Sequence, residues 1–169
     1  MLQKKEKENR MNLELRMYFF VPYNISEIQK GIQAGHAALE YAYKYGQTEL
    51  YQDFIKNHKT FIILNGGTTR DIINDEDDGG TLQSIQRLLG INKIEHSSFK
   101  EPDLNYATTA LCFIADERVF NKEKYPDWIP GEKWINIDMH IWNYDEWINF
   151  IGGEKNLFLR ELLKDKRLA

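Results

Sequence analysis

The chain has 169 residues, of which 42% are hydrophobic and 28% charged, a size and balance that suit one compact domain with a sizeable core. Its formal charge of −4 gives no overall attraction to DNA or an anionic membrane, so contact with RNA would need a local basic patch. The one cysteine, Cys112, excludes an intramolecular disulfide and fits a reducing compartment.

Residues 1–12 are mostly charged and read as a flexible tail. Met1–Arg10 has no apolar core, so it is not a signal peptide. No apolar run reaches membrane-spanning length, and the expected location is cytoplasmic. Residues 14–22 alternate and then become continuously apolar, as a strand entering the centre of a sheet does. Ser26 and Gln29 form an S-x-x-Q capping box that opens a helix running to about Gly46. Its predicted inward stripe is Ile28, Ile32, Leu39 and Tyr43, with Gly31 and Gly35 letting the helix backbone approach the sheet.

A second helix is predicted near Thr48–Lys56, a buried strand at 60–64 and a third helix near Thr81–Leu89, facing inward through Leu82, Ile85, Leu88 and Leu89. Two strands follow, near Lys93–Phe99 and Tyr106–Ala115, and an amphipathic helix at Asn156–Lys166 closes the chain. The order predicts an α/β three-layer sandwich, a mixed four-stranded sheet with helices on both faces. Its first two strands should be parallel. Residues 13–116 form this domain, and 117–169 a Trp-rich extension packed on it. All four tryptophans lie after residue 125. They serve either as core anchors or as an interface in a homodimer, and packing on the same domain is the expectation.

Ligands of open α/β sheets bind beyond the carboxyl ends of the strands. That rule singles out two loops, Tyr23–Ser26 with Asn24, and Asn65–Thr69 with Gly66, Gly67, Thr68 and Thr69, followed by Arg70. If they converge, they offer a phosphate or carboxylate site at a capped helix N-terminus. His36 reads either as a packed core histidine or as an imidazole orienting a ligand, a water or a carboxylate. Glu101 and Asp103 flank Pro102, which favours extended geometry, so both carboxylates are expected on one side as base and orienter, followed by Asn105. The acidic run at 75–78 fails the calcium-loop register, and no metal-ligand spacing occurs, so no cofactor is expected. Cys112 alternates within an apolar strand and is expected to be a buried, inert thiol.

The segment Gln33-Ala34-Gly35-His36-Ala37-Ala38 resembles the A-Q-x-x-H-A helix of the type II peptidyl-tRNA hydrolases. The element order and Thr109-Ala110-Leu111-Cys112-Phe113-Ile114 are similar to that family as well. The likeness spans about residues 14–116. It implies metal-free cleavage of the ester joining a peptide to tRNA, with Lys30, His36, Glu101, Asp103 and Thr109 as catalytic candidates. Gln29 and Gln33 would line the ligand site. The chain departs from the family where Gln29 replaces an expected lysine, where Leu64-Asn65 lacks another, and where Phe99–Asn105 replaces a D-A-G loop. Those departures motivate an alternative, a binding module for a small anionic, nucleotide-like ligand.

Overall fold

The structure, a computed structural model, describes residues 13–69, 81–131, 134–135 and 141–169, with no side chain described within 132–141. The expected tail at 1–12, Arg70 and the acidic segment 71–80 lie outside the described residues. The elements are β1 (Leu15–Val21), α1 (Glu27–Tyr45), α2 (Glu49–Asp53), β2 (Thr60–Asn65), α3 (Leu82–Ile91), β3 (His96–Glu101), β4 (Ala107–Asp116), α4 (Glu117–Phe120), β5 (Trp134–Ile135), β6 (Ile141–Trp142), α5 (Tyr144–Phe150) and α6 (Glu154–Leu163).

The main sheet has the order β2-β1-β4-β3. β1 is parallel to β2 and antiparallel to β4, which is antiparallel to β3. β1 and β4 are buried on both faces, which explains their nearly unbroken apolar sequence. Tyr18, Phe20, Leu111 and Phe113 face a cluster with Leu82, Ile85 and Leu89 of α3 and with Leu159 and Leu162 of α6. The alternate residues Met17, Phe19, Ala110 and Cys112 face Ala34, Ala37 and Tyr41 of α1 and Phe54 after α2. The three-layer α/β sandwich with its mixed four-stranded sheet is therefore formed.

α1 corrects one expectation. Ile28, Ile32, Leu39 and Tyr43 are exposed, and the buried face is Lys30, Gln33, Ala34, Ala37 and Tyr41. Small side chains let this helix lie close to β3 and β4, whereas a reading by hydrophobic bulk selects the opposite side. Gly31 and Gly35 do not mediate the approach, since a Cβ at either would meet nothing within 4 Å. At the start, Ser26 Oγ accepts from the Gln29 N–H at 3.3 Å. At the end, Gly46 stops the helix in right-handed geometry (φ −55°) instead of the left-handed stop common for glycine.

The hydroxyl of the fully buried Tyr41 has no hydrogen-bond partner among the described residues. Burial, assisted by the nearby Glu95 and Cys112, pushes its ionisation far above the usual tyrosine range. A buried hydroxyl without a partner costs roughly 1–3 kcal/mol of desolvation. Tyr41→Phe should therefore hold or raise the urea midpoint of unfolding, and a marked fall would contradict this reading.

The described residues after β4 form α4, β5, β6, α5 and α6. Asn143 and Glu146 form a reciprocal capping box at α5, an N-x-x-E pattern that marks this helix start in the sequence. Tyr125, Trp147, Ile148 and Ile151 make a third cluster flanked by Trp128 and Trp142. The Trp147 indole N–H donates to Pro126 O at 3.1 Å. α6 starts at Glu154, and its Leu157 and Phe158 are only partly buried while Leu159 and Leu162 reach the sheet.

Candidate functional site

The carboxyl ends of β1, β2 and β3 and the start of β4 share one end of the sheet, a consequence of the strand directions. α1 begins there and crosses β3 and β4. Three alternate residues of β3 meet it in turn. Ser97 Oγ donates to Ala37 O at 2.7 Å, Phe99 stacks on His36 at 4.3 Å and 17°, and Glu101 Oε2 accepts from Gln33 Nε2 at 2.8 Å.

β4 supplies the next partner through a register shift. Phe99 pairs with Ala110 and Lys100 with Thr108, so Thr109 is an extra residue in the ladder. Such a bulge re-aims a side chain. Thr109 Oγ1 donates to Gln33 Oε1 at 2.5 Å. Gln33 is thus held at both ends: its carbonyl takes the Thr109 proton, and its amide nitrogen presents a proton to Glu101. This fixes the amide orientation and one carboxylate oxygen of Glu101. Gln33 and Thr109 are buried, while Glu101 is half-exposed.

Asp103 does not join it. Pro102–Leu104 forms a turn of 3₁₀ helix, which rotates Asp103 into solvent where an extended segment would have kept it beside Glu101. Proline fits the first position of such a turn as readily as an extended strand. Asn105 and Tyr106 follow with φ of 54° and 59°. This geometry suits asparagine but strains tyrosine, and the Tyr106 N–H closes the hairpin on Glu101 O at 3.0 Å.

Lys30 is buried, its ammonium 2.8 Å from Glu27 Oε1. His36 is half-buried and packed face to face with Phe99, so it is not an enclosed core histidine. Gln29 and Asn24 are exposed near the start of α1.

The two loops do converge: the Tyr23 N–H donates to Gly67 O at 3.1 Å, and the Gly66 N–H to Val21 O at 2.8 Å. The second loop, however, is committed to packing. A Cβ on Gly66 would lie 2.5 Å from Leu82 Cδ2 and 3.0 Å from Phe20 Cβ, and Gly67 has φ 81°. Thr68 O accepts from the Leu82 N–H, and Thr69 Oγ1 from Gln83 Nε2, each at 3.0 Å. These contacts pack Gly66 against Leu82 and tie Thr68 and Thr69 to the start of α3.

Ser97 and Phe99 went unnoticed in the sequence because a polar Ser97-Ser98 pair before a lone aromatic has no distinctive spacing. Ser97 Oγ also lies 3.1 Å from Cys112 Sγ. Burial pushes the Cys112 thiol from 9.0 up to about 12, against the weaker opposing effect of Ser97. Below pH 9 both folded and unfolded thiols are protonated. Above it the unfolded thiol ionises first, so stability should fall as pH rises from 9 toward about 12. In native protein at pH 8, Cys112 should resist a thiol reagent and react on adding denaturant. Fast labelling of the folded chain would contradict its burial.

Among the described residues, no three His, Cys, Asp or Glu side chains converge as a metal site. No described helix is long and apolar enough to cross a membrane. The fold and site together define an α/β sandwich with a polar side-chain chain, Thr109–Gln33–Glu101, at the end of its sheet where β1, β2 and β3 finish. No protein-family model matches the chain, and no curated protein matches it.

Proposed function

We propose that this protein is a type II peptidyl-tRNA hydrolase-like esterase that cleaves peptidyl-tRNA or N-blocked aminoacyl-tRNA. The observation that carries the reading is the Thr109–Gln33–Glu101 chain. It joins the two segments on which the family likeness rests, at the end of the sheet where that likeness expects a site. In this reading Glu101 accepts a proton from water as the water oxygen attacks the ester carbonyl. The carbon–oxygen bond to the terminal ribose breaks, its oxygen takes up a proton, and the peptide leaves as a carboxylate. Gln33 and Thr109 are positioning residues that hold Glu101 in one orientation. The proposed location is the cytoplasm, where charged tRNA is found.

A second reading is favoured by one observation. Lys30 is engaged by Glu27 at 2.8 Å, and Gln29 stands where the likeness expects a lysine, so the start of α1 lacks the free cations of a tRNA hydrolase, as a catalytically reduced binding module of the same fold would. Two assays on one preparation separate the readings. The hydrolase reading expects release of N-acetyl amino acid from charged tRNA. The binding reading expects no release and a thermal shift with nucleoside phosphates. Neither release nor shift would overturn both.

A further inference from the structure

Tyr106 holds a strained backbone and contributes little packing. Its φ of 59° lies in the left-handed region, which glycine or asparagine adopts readily and a bulky side chain does not. The side chain is 68% exposed. Among the described residues its ring and hydroxyl have no stacking, cation or hydrogen-bond partner. Only its backbone N–H serves the hairpin, donating to Glu101 O at 3.0 Å, and any residue except proline supplies that donor. A strained residue that folding does not explain points to a functional contact.

Its surroundings indicate what that contact is. Ala107, the next residue, pairs with Glu101 across the ladder, so Tyr106 stands at the mouth of the Thr109–Gln33–Glu101 chain. Asn105 precedes it, also left-handed at φ 54° and exposed. Residues 101–106 carry two carboxylates, Glu101 and Asp103, and no cation, a setting that disfavours a phosphate. An aromatic face with an amide beside it suits a flat, uncharged group whose edges form hydrogen bonds, which describes a nucleobase.

We propose that Tyr106 is the stacking surface for the nucleobase of the ligand, with the Asn105 amide reading the edge of that base. The inference rests on the proposed function for the class of ligand alone, because charged tRNA and a nucleoside phosphate both carry a base. Tyr106 is a binding residue, separate from the proton transfer assigned to Glu101.

The test is calorimetric binding of two trinucleotides to the full chain. One ends in adenosine, the nucleotide that ends charged tRNA, and the other is identical but lacks that last base. Neither has an ester to cleave, so the result does not depend on hydrolysis. Wild type should prefer the complete trinucleotide by roughly 5–150-fold, the range for one base stacked on an aromatic side chain. Tyr106→Phe should keep the preference. Tyr106→Asn should erase it while holding or raising the melting temperature, because asparagine relieves the left-handed strain. A tyrosine with only a structural role would give the reverse, a lower melting temperature and an unchanged preference. Failure of wild type to distinguish the two trinucleotides, or a preference that survives Tyr106→Asn, would overturn the proposal. Release from charged tRNA alongside either result would leave the hydrolase reading standing without this one. A base preference that Tyr106→Asn erases, without release, would uphold this one and remove the hydrolase reading.

Discussion

Arg160→Ala is expected to destabilise the protein by about 3–5 kcal/mol, near the loss seen when one partner of a buried polar network is removed. The Arg160 side chain is 1% exposed. It donates to Arg118 O and, at 2.8 Å, to Tyr125 O, and it pairs with Asp127. Its guanidinium carbon also lies 5.8 Å from the centre of the Trp147 ring. Truncation would leave the two carbonyls without these donors and open a void beneath the tryptophan cluster. Asp127 adds little to the loss, because it is 59% exposed and also paired with Lys122. Lysine should not restore stability, since a single ammonium cannot reproduce the planar fork that spans several acceptors. Urea unfolding measures this. A loss below about 1 kcal/mol would place Arg160 outside the group of large-effect sites.

Glu101→Gln is expected to lower hydrolysis of N-acetyl-aminoacyl-tRNA by roughly 10²–10⁴-fold, the usual contribution of a positioned general base. The substitution keeps the shape of the side chain, and the new amide oxygen can still accept from Gln33 Nε2, now 2.8 Å from the carboxylate. Folding should therefore be unaffected, while the group can no longer take a proton from water. Asp103→Ala is the control: it lies in solvent on the 3₁₀ turn, and the rate should not change.

The sheet was legible because β1 and β4 are long apolar runs bounded by polar or turn residues. Strand order was not, since the antiparallel placement of β4 beside β1 leaves no local mark. The inner face of α1 misled for a definite reason. The fold buries its alanines and polar residues, while its bulky aliphatics lie outside, so periodicity gives the right helix and the wrong side. The family likeness points to Gln33 and Thr109 as site residues, but their direct contact depends on a bulge. Nothing in the Thr108-Thr109 pair announces which residue is extra. Glu101 and Asp103 look equivalent around Pro102, and only the turn geometry separates them. The glycine-threonine loop has the composition of a ligand cradle, yet its Gly66 is needed for close contact with Leu82 and Phe20.

The proposed chemistry is ester hydrolysis by a carboxylate that Gln33 and Thr109 hold at the end of the sheet. Its most direct measurement is a single-turnover time course of N-acetyl amino acid release from charged tRNA, with protein in excess. Wild type and Glu101→Gln would be matched for folding by their unfolding midpoints. The expected result is release by wild type well above the buffer rate and a Glu101→Gln trace close to buffer. Release that is absent with wild type, or equally fast with Glu101→Gln, would contradict it.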